Sequence, residues 1–507
     1  MTPGTLTARV GRERDLALQE LREAMSAANM ASALRCSAKL LAELPDGGQL
    51  DRNLVMVAYG GGKDSAYTLA FVRAMHLILW RVYGSTFRFR VVTNRHAGMP
   101  RAVMENMDRA YRALRLTMDP GCELLLIDGN EVTTFDVNAP QREHVIRRNR
   151  LDILMTGHRT FADGRPTFCN ACNLSVVNSF GLGAAYGDGA DVVITGDSRE
   201  EQREYAVWVS RLARRLAPGN RNAKGNGIRG LLSHIDRIGQ TYFADIYGDD
   251  ATDTITERRI TTDVPEHLRF FSIYSDTAYS ARDHLELLTG FLGFEFDDFA
   301  FSFTESDCGN PALMAHLRGL KSERVFRRSY DEGLTEYVTF ALALMGKKDF
   351  PPELIERMRQ RYEGPGAAAR MRGQASRYAL ETFGLTEEQL ICVAYSPFAG
   401  QAEGLAKFLA REHPALSGEV SQIRGLLAGS RSADGDASSL ADELSRISGL
   451  ELRQLQVLYG RPVRQLAGHG RGTEVIDAVL AGDPHKAVIR TRHSPAGPDT
   501  KEQISGR

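Results

Sequence analysis

The sequence predicts an α/β protein, a parallel sheet followed by a mostly helical C-terminal region. Three observations carry that reading. The short apolar runs LVMVA (54–58), FRVVT (89–93), ELLLI (123–127) and ADVVIT (190–195) alternate with stretches of helical period, the pattern of a sheet whose faces are covered by helices. A glycine triplet ends the first run and opens the following helix. Beyond about residue 350 the strand-like runs give out, and IERMRQRY, AEGLAKFLARE, LADELSRISGL and RQLQVLYG repeat apolar residues at three- and four-residue intervals.

Taken in order, residues 13–45 have the period of an amphipathic helix or helical pair and stop at PDGG. The four strands follow, with LRFFSIY (268–274) as a fifth. This divides the chain into a helical leader (1–50), an α/β domain (51–345), a helical domain (346–428), a Ser/Gly/Asp-rich linker (429–439), a further helical segment (440–492) and a tail (493–507) expected to be disordered.

Lys plus Arg number 63 and Asp plus Glu 64, a formal balance of −1, so the chain has no general attraction for nucleic acid or acidic lipid. Six cysteines in 507 residues are too few for a secreted disulfide scaffold. The N-terminus lacks an apolar signal core, and no run reaches the roughly 20 apolar residues of a membrane span, so a cytoplasmic setting is expected.

The strongest motif is VMVAYGGGKDSAYTLAF, a strand, then Gly60, Gly61, Gly62, Lys63, Asp64 and Ser65, then a helix. Glycines let backbone N–H groups approach an anion, and the helix start directs more of them, with its positive dipole end, at the same place. Lys63 adds charge, Ser65 a hydroxyl donor, and Asp64 a carboxylate able to orient the loop or hold Mg2+. The spacing fits neither G-x-x-x-x-G-K-[ST] nor G-x-G-x-x-G.

The segment resembles the S-G-G-x-D-S pyrophosphate loop of the PP-loop ATP pyrophosphatases, with Gly60 where that family has serine. The resemblance implies a Rossmann-like fold of the adenine nucleotide alpha hydrolase type and an enzyme that uses ATP and Mg2+. Such an enzyme attaches AMP to a substrate oxygen, releases pyrophosphate and lets a nucleophile displace AMP. It also implies adenine near the end of the second strand, at Val92, Thr93 and Asn94, and phosphate contacts from Thr195, Gly196 and Asp197 in ADVVITGDSREEQ, with Asp197 where the family has histidine.

Cys169 and Cys172 form a C-x-x-C in FCNACNLS, a spacing that grips a metal ion, an edge of an iron–sulfur cluster or a redox disulfide. The order of loop, C-x-x-C, helix and ADVVITG resembles the cysteine-dependent tRNA thiolases. That likeness implies a third cysteine, Cys308 in TESDCGNPALMAHLRGL, and a 4Fe-4S cluster held by Cys169, Cys172 and Cys308. Three cysteines also fit catalytic persulfide chemistry through Cys169 and Cys308, or zinc with His158 or Asp307 as fourth ligand. Cys36, Cys122 and Cys392 lie in apolar settings and read as packed thiols.

Basic residues in 141–150, at Arg221, Lys224 and Arg229, and in KSERVFRRS (321–329) fit solvated helix faces and loops; Arg221, Lys224 or Arg229 would otherwise close over phosphate. The near-neutral balance suits a small-molecule, peptide or carrier-bound acceptor better than tRNA. The resemblance implies a sulfur-carrier protein or cysteine desulfurase as sulfur source, and self-association is expected. Two other readings stay open: an amide-forming ligase or amidotransferase using the same adenylation, and a nucleotide-binding module without catalysis.

Overall fold

Strand β1 (Leu54–Ala58) lies at the centre of a six-stranded sheet of order β4-β3-β2-β1-β5-β6. It pairs with β2 (Arg88–Arg95) and β5 (Val192–Ile194), beyond which lie β3 (Cys122–Asp128) and β6 (Arg269–Phe270), each parallel to its neighbour. A short strand β4 (Glu131–Thr134) closes one edge antiparallel to β3. The computed structural model describes residues 3–196, 203, 205–210, 212, 227–248, 252–274, 277, 281–299, 308–347, 350–429, 436–464, 475–482, 486–492 and 496–505. The sheet and its helical cover are those of a generic Rossmann-like α/β architecture.

Side chains alternate across β1, as a strand requires. Val55 and Val57 join the core beneath helices α1 (Pro3–Ala24), α2 (Ala27–Glu43), α3 (Lys63–Tyr83) and α4 (Arg101–Ala113). The leader is therefore a helical pair, broken where Ser26 caps α2 by accepting from the Asn29 amide. Leu54 and Met56 face the other way, into a core shared with α5 (Glu143–Arg159), α6 (Gly164–Phe168), α7 (Asn170–Ser175), α8 (Asn178–Ala185) and α9 (Gly227–Tyr247).

That second core continues without a break into the later helices. After α10 (Thr252–Thr256) and α11 (Ala281–Glu286) come α12 (Asn310–Leu320), α13 (Tyr330–Lys347), α14 (Pro352–Arg361), α15 (Ala367–Phe383) and α16 (Glu387–Tyr395). Leu313, Ala341, Met358, Ala379 and Val393 from these five are buried in the same cluster as Met56 and Val193 of the sheet. The helical C-terminal region thus forms a layer on one sheet face.

Three expectations change; in one, the segment expected to be helical (440–492) ends in a strand, Lys486–Arg492. The fifth strand shrinks to Arg269–Phe270, because LRFFSIY pairs with β5 only through Arg269 and Phe270. Within 493–507, expected to be disordered, Asp499–Ser505 forms strand β8, paired antiparallel with β7 (Lys486–Arg492). Ile504 is buried there, and Glu502 reaches Arg318 and Lys321. Positions 430–435 of the expected linker lie outside the described residues. Among the described residues no helix is long and apolar enough to cross a membrane.

Candidate functional site

The strand order reverses at β1. The chain runs outward from β1 to β2 and β3, then returns to β5 on the other side of β1. Ligands of open α/β sheets bind in the crevice that opens beyond the carboxyl ends of the strands at such a reversal. Gly60–Ser65 follow β1 and Thr195–Gly196 follow β5, so the two segments chosen from sequence meet there. A Cβ on Gly196 would lie 3.0 Å from Ser65 Cα. The Gly196 carbonyl accepts from Tyr274 Oη at 2.7 Å, and Tyr274 Oη lies 3.2 Å from Thr68 Oγ1 on α3.

Within the loop each residue has its own physical role. Gly61 has φ +78°, and a Cβ there would come within 2.4 Å of Met107 and 2.6 Å of Val103. Both backbone and packing demand glycine. Gly60 meets nothing within 4 Å, so a serine would fit there. Gly62 is the N-cap of α3 in extended conformation. The first amides of a helix have no intrahelical acceptor, so this end offers donors and partial positive charge to an anion. Ser65 Oγ donates to Gly62 O at 3.0 Å, which spends its proton on the turn.

Lys63 and Asp64 are paired with each other at 2.6 Å, and Lys63 Nζ lies 4.7 Å from the centre of the Phe350 ring. Asp64 therefore faces a cation of its own loop. His284, buried on α11, brings Nε2 to 3.3 Å from Lys63 O and 4.0 Å from Asp64 Oδ1, and its ring packs 4.6 Å from Tyr67. Burial pulls the imidazole below its ordinary pKa, with Asp64 opposing and Lys63 assisting. Sequence reasoning missed His284, which lies 221 residues from Lys63 with no local motif.

At the end of β2 the expected contacts divide. Thr93 is fully buried, and its hydroxyl donates to Tyr59 O at 3.0 Å and lies 3.3 Å from Tyr111 Oη. Its hydroxyl is thus engaged inside the sheet. Asn94, on the opposite face, is half-buried. Asp197, Arg221 and Lys224 lie outside the described residues, and Arg229 is tied to Val264 O at 2.6 Å and to Glu266 at 3.1 Å.

Asn310, the first residue of α12, brings the regions of Cys169 and Cys308 together. Its Nδ2 donates to Phe168 O at 3.2 Å and lies 3.9 Å from Cys169 Sγ. Gly309, next to Cys308, donates its amide to Gly98 O beyond β2, and Tyr378 donates to the same carbonyl at 2.6 Å. Cys169 is 4% exposed and Cys308 0%. Burial, with Cys169 adding to it, pushes the Tyr337 phenol well above its usual range.

Among the described residues no three His, Cys, Asp or Glu are grouped to hold an ion, and the Cys172 side chain and Asp307 lie outside them. His158 is not a fourth ligand: Nδ1 bonds Leu154 O at 2.8 Å and Nε2 meets Cys392 Sγ at 3.7 Å, both fully buried. The described residues thus do not complete a cluster or zinc site. In comparisons with known proteins, no family model, no curated protein and no solved structure matches the chain.

Proposed function

We propose that the chain is an ATP-dependent enzyme of the PP-loop pyrophosphatase type, with the adenine nucleotide alpha hydrolase-like version of the Rossmann fold. In this reading it attaches AMP to an acceptor oxygen and releases pyrophosphate. The observation that carries the reading is the meeting of Gly60–Ser65 with Thr195–Gly196 at the reversal of the strand order. The α3 amides and Lys63 would hold the pyrophosphate moiety, with Lys63 leaving Asp64 for the phosphates. Mg2+, when bound, would screen phosphate charge, with Asp64 as the carboxylate released to it. The acceptor is a small molecule, a peptide or a carrier-bound group.

The second step is sulfur transfer, supported by Asn310 joining the Cys169 and Cys308 regions. Displacement of AMP by an amine, which makes an amide-forming ligase, is favoured instead by the burial of both thiols and the lack of a ligand trio among the described residues.

Calorimetry with ATP, AMP and pyrophosphate in Mg2+ tests the first step. Binding of ATP and pyrophosphate, at least tenfold weaker in Lys63→Ala, is expected; no binding of either overturns the reading. Iron, zinc and acid-labile sulfide in protein purified without oxygen test the second. About four iron per chain would support sulfur transfer on a cluster, and metal-free protein would favour persulfide or amide chemistry.

A further inference from the structure

Strand β8 grips the helices on either side of the thiol region. Ser505 donates its hydroxyl and amide to Asp163 Oδ1, the N-cap side chain of α6, at 2.6 and 3.0 Å, and accepts from the Arg165 amide at 3.3 Å. Glu502 pairs with Arg318 at 2.6 Å and Lys321 at 2.7 Å, at the far end of α12. Lys321 Nζ donates to Phe161 O at 2.8 Å and lies 3.9 Å from the Phe161 ring. Phe161 and Ala162, joining α5 to α6, both have φ near +50° (50° and 54°), a conformation that persists only where the surroundings enforce it.

These grips complete an antiparallel pair. At one end Asn310 of α12 bonds Phe168 and reaches Cys169 at the end of α6. One turn along, Gly164 lies so close to α12 that a Cβ would come within 2.9 Å of Met314 Cβ. At the other end the link between α6 and α12 runs through Lys321, Glu502 and Ser505. Glu336 of α13 also neutralises Arg318 and Arg328, and Thr491 of β7 joins them. Burial pushes Glu502 up, but Lys321 and Arg318 outweigh it and hold the carboxyl down to about 2.

We infer that β8 is a clasp: Glu502 and Ser505 are positioning residues that fix α6 against α12 and thereby the placement of Cys169 relative to Cys308. The weight of that placement in catalysis rests on the thiol reading above; the clasp itself does not.

The test is site-resolved alkylation of the full chain by iodoacetamide, read by mass spectrometry, with the buried Cys36 and Cys392 as internal references. In Glu502→Gln and Ser505→Ala, labelling of Cys169 and Cys308 is expected to rise about tenfold through local opening. Cys36 and Cys392 should keep wild-type rates, and Ser505→Thr, which retains the hydroxyl, should behave as wild type. Ser505→Ala removes a single hydroxyl and keeps the test open if Glu502→Gln does not fold. Unchanged labelling at Cys169 and Cys308, or an equal rise at all four cysteines, overturns the clasp. Loss of the ATP reading would leave this labelling pattern intact, so the two failures are distinguishable.

Discussion

Gly196 and Ser65 touch backbone to backbone: a Cβ on Gly196 would stand 3.0 Å from Ser65 Cα and 3.2 Å from its amide nitrogen. The end of β5 therefore forms the wall against which the glycine loop is moulded. Gly196→Ala should push the loop by a few tenths of an ångström, at a cost of about 1–3 kcal/mol. Thermal unfolding and ATP calorimetry on the same variant check this, with affinity expected to fall at least fivefold. Unchanged affinity would show that the wall does not shape the loop.

Neighbouring glycines should respond in opposite ways. Gly60→Ser enters open space, so stability should stay within about 0.5 kcal/mol of wild type. Pyrophosphate should bind several-fold more tightly through the added hydroxyl. Gly61→Ala meets Met107 and Val103 in a left-handed conformation and should lose about 1–3 kcal/mol. Urea unfolding of both variants separates a loop with specific demands at each position from one that is merely small.

Beneath the sheet Asp119 joins Arg14 and Arg73 at 2.8 and 2.9 Å, and Arg73 Nη1 lies 2.9 Å from His76 Nδ1. Arg73 is fully buried. Asp119→Ala leaves that guanidinium without its carboxylate and should cost about 3–5 kcal/mol. A double variant, Asp119→Leu with Arg73→Met, should recover much of the loss in denaturant titrations.

Stability should fall with acid in two stages. Burial holds His158 and His316 down to about 4 from an ordinary 6.5. Below pH 6.5 the unfolded chain takes up protons that the folded chain refuses, so stability is lost as pH falls from 6.5 to about 4. The loss is at most about 3 kcal/mol per histidine. His76, lowered by burial and by Arg73, acts in the same direction. Glu502, held down to about 2 from 4.5, stabilises above its ordinary value and loses that contribution as pH falls through the lower one. Urea midpoints at pH 7.5 and pH 5 should differ less in His158→Gln than in wild type.

The central strands and the glycine loop were legible because their signals are local. An apolar run, a glycine turn and a helix start occupy one stretch, Leu54 to Tyr83. Alternation along β2 also puts Thr93 on the face of Val91, in the core beneath α4. β4 escaped notice because EVTT is short, largely exposed and pinned only by its pairing with β3. β7 and β8 escaped because KAVIRTR and DTKEQIS are rich in polar and charged residues and are pinned by their pairing with each other and by the ion pairs of Glu502 and Arg492. Glu502 finds Lys321 across 181 residues, and no window of sequence contains both. His284 was hidden in the same way: its meaning comes from a carbonyl on a distant loop.

The distance from Lys321 to Glu502 also sets a schedule. At about 5–20 residues per second, a ribosome adds the 181 residues between them in roughly 10–40 s. Throughout that interval Arg318 and Lys321 have no Glu502 to pair with. On the clasp reading, the last grip of α6 on α12 comes with β8, and a message truncated before residue 499 should yield a chain that keeps its glycine loop but alkylates faster at Cys169 and Cys308.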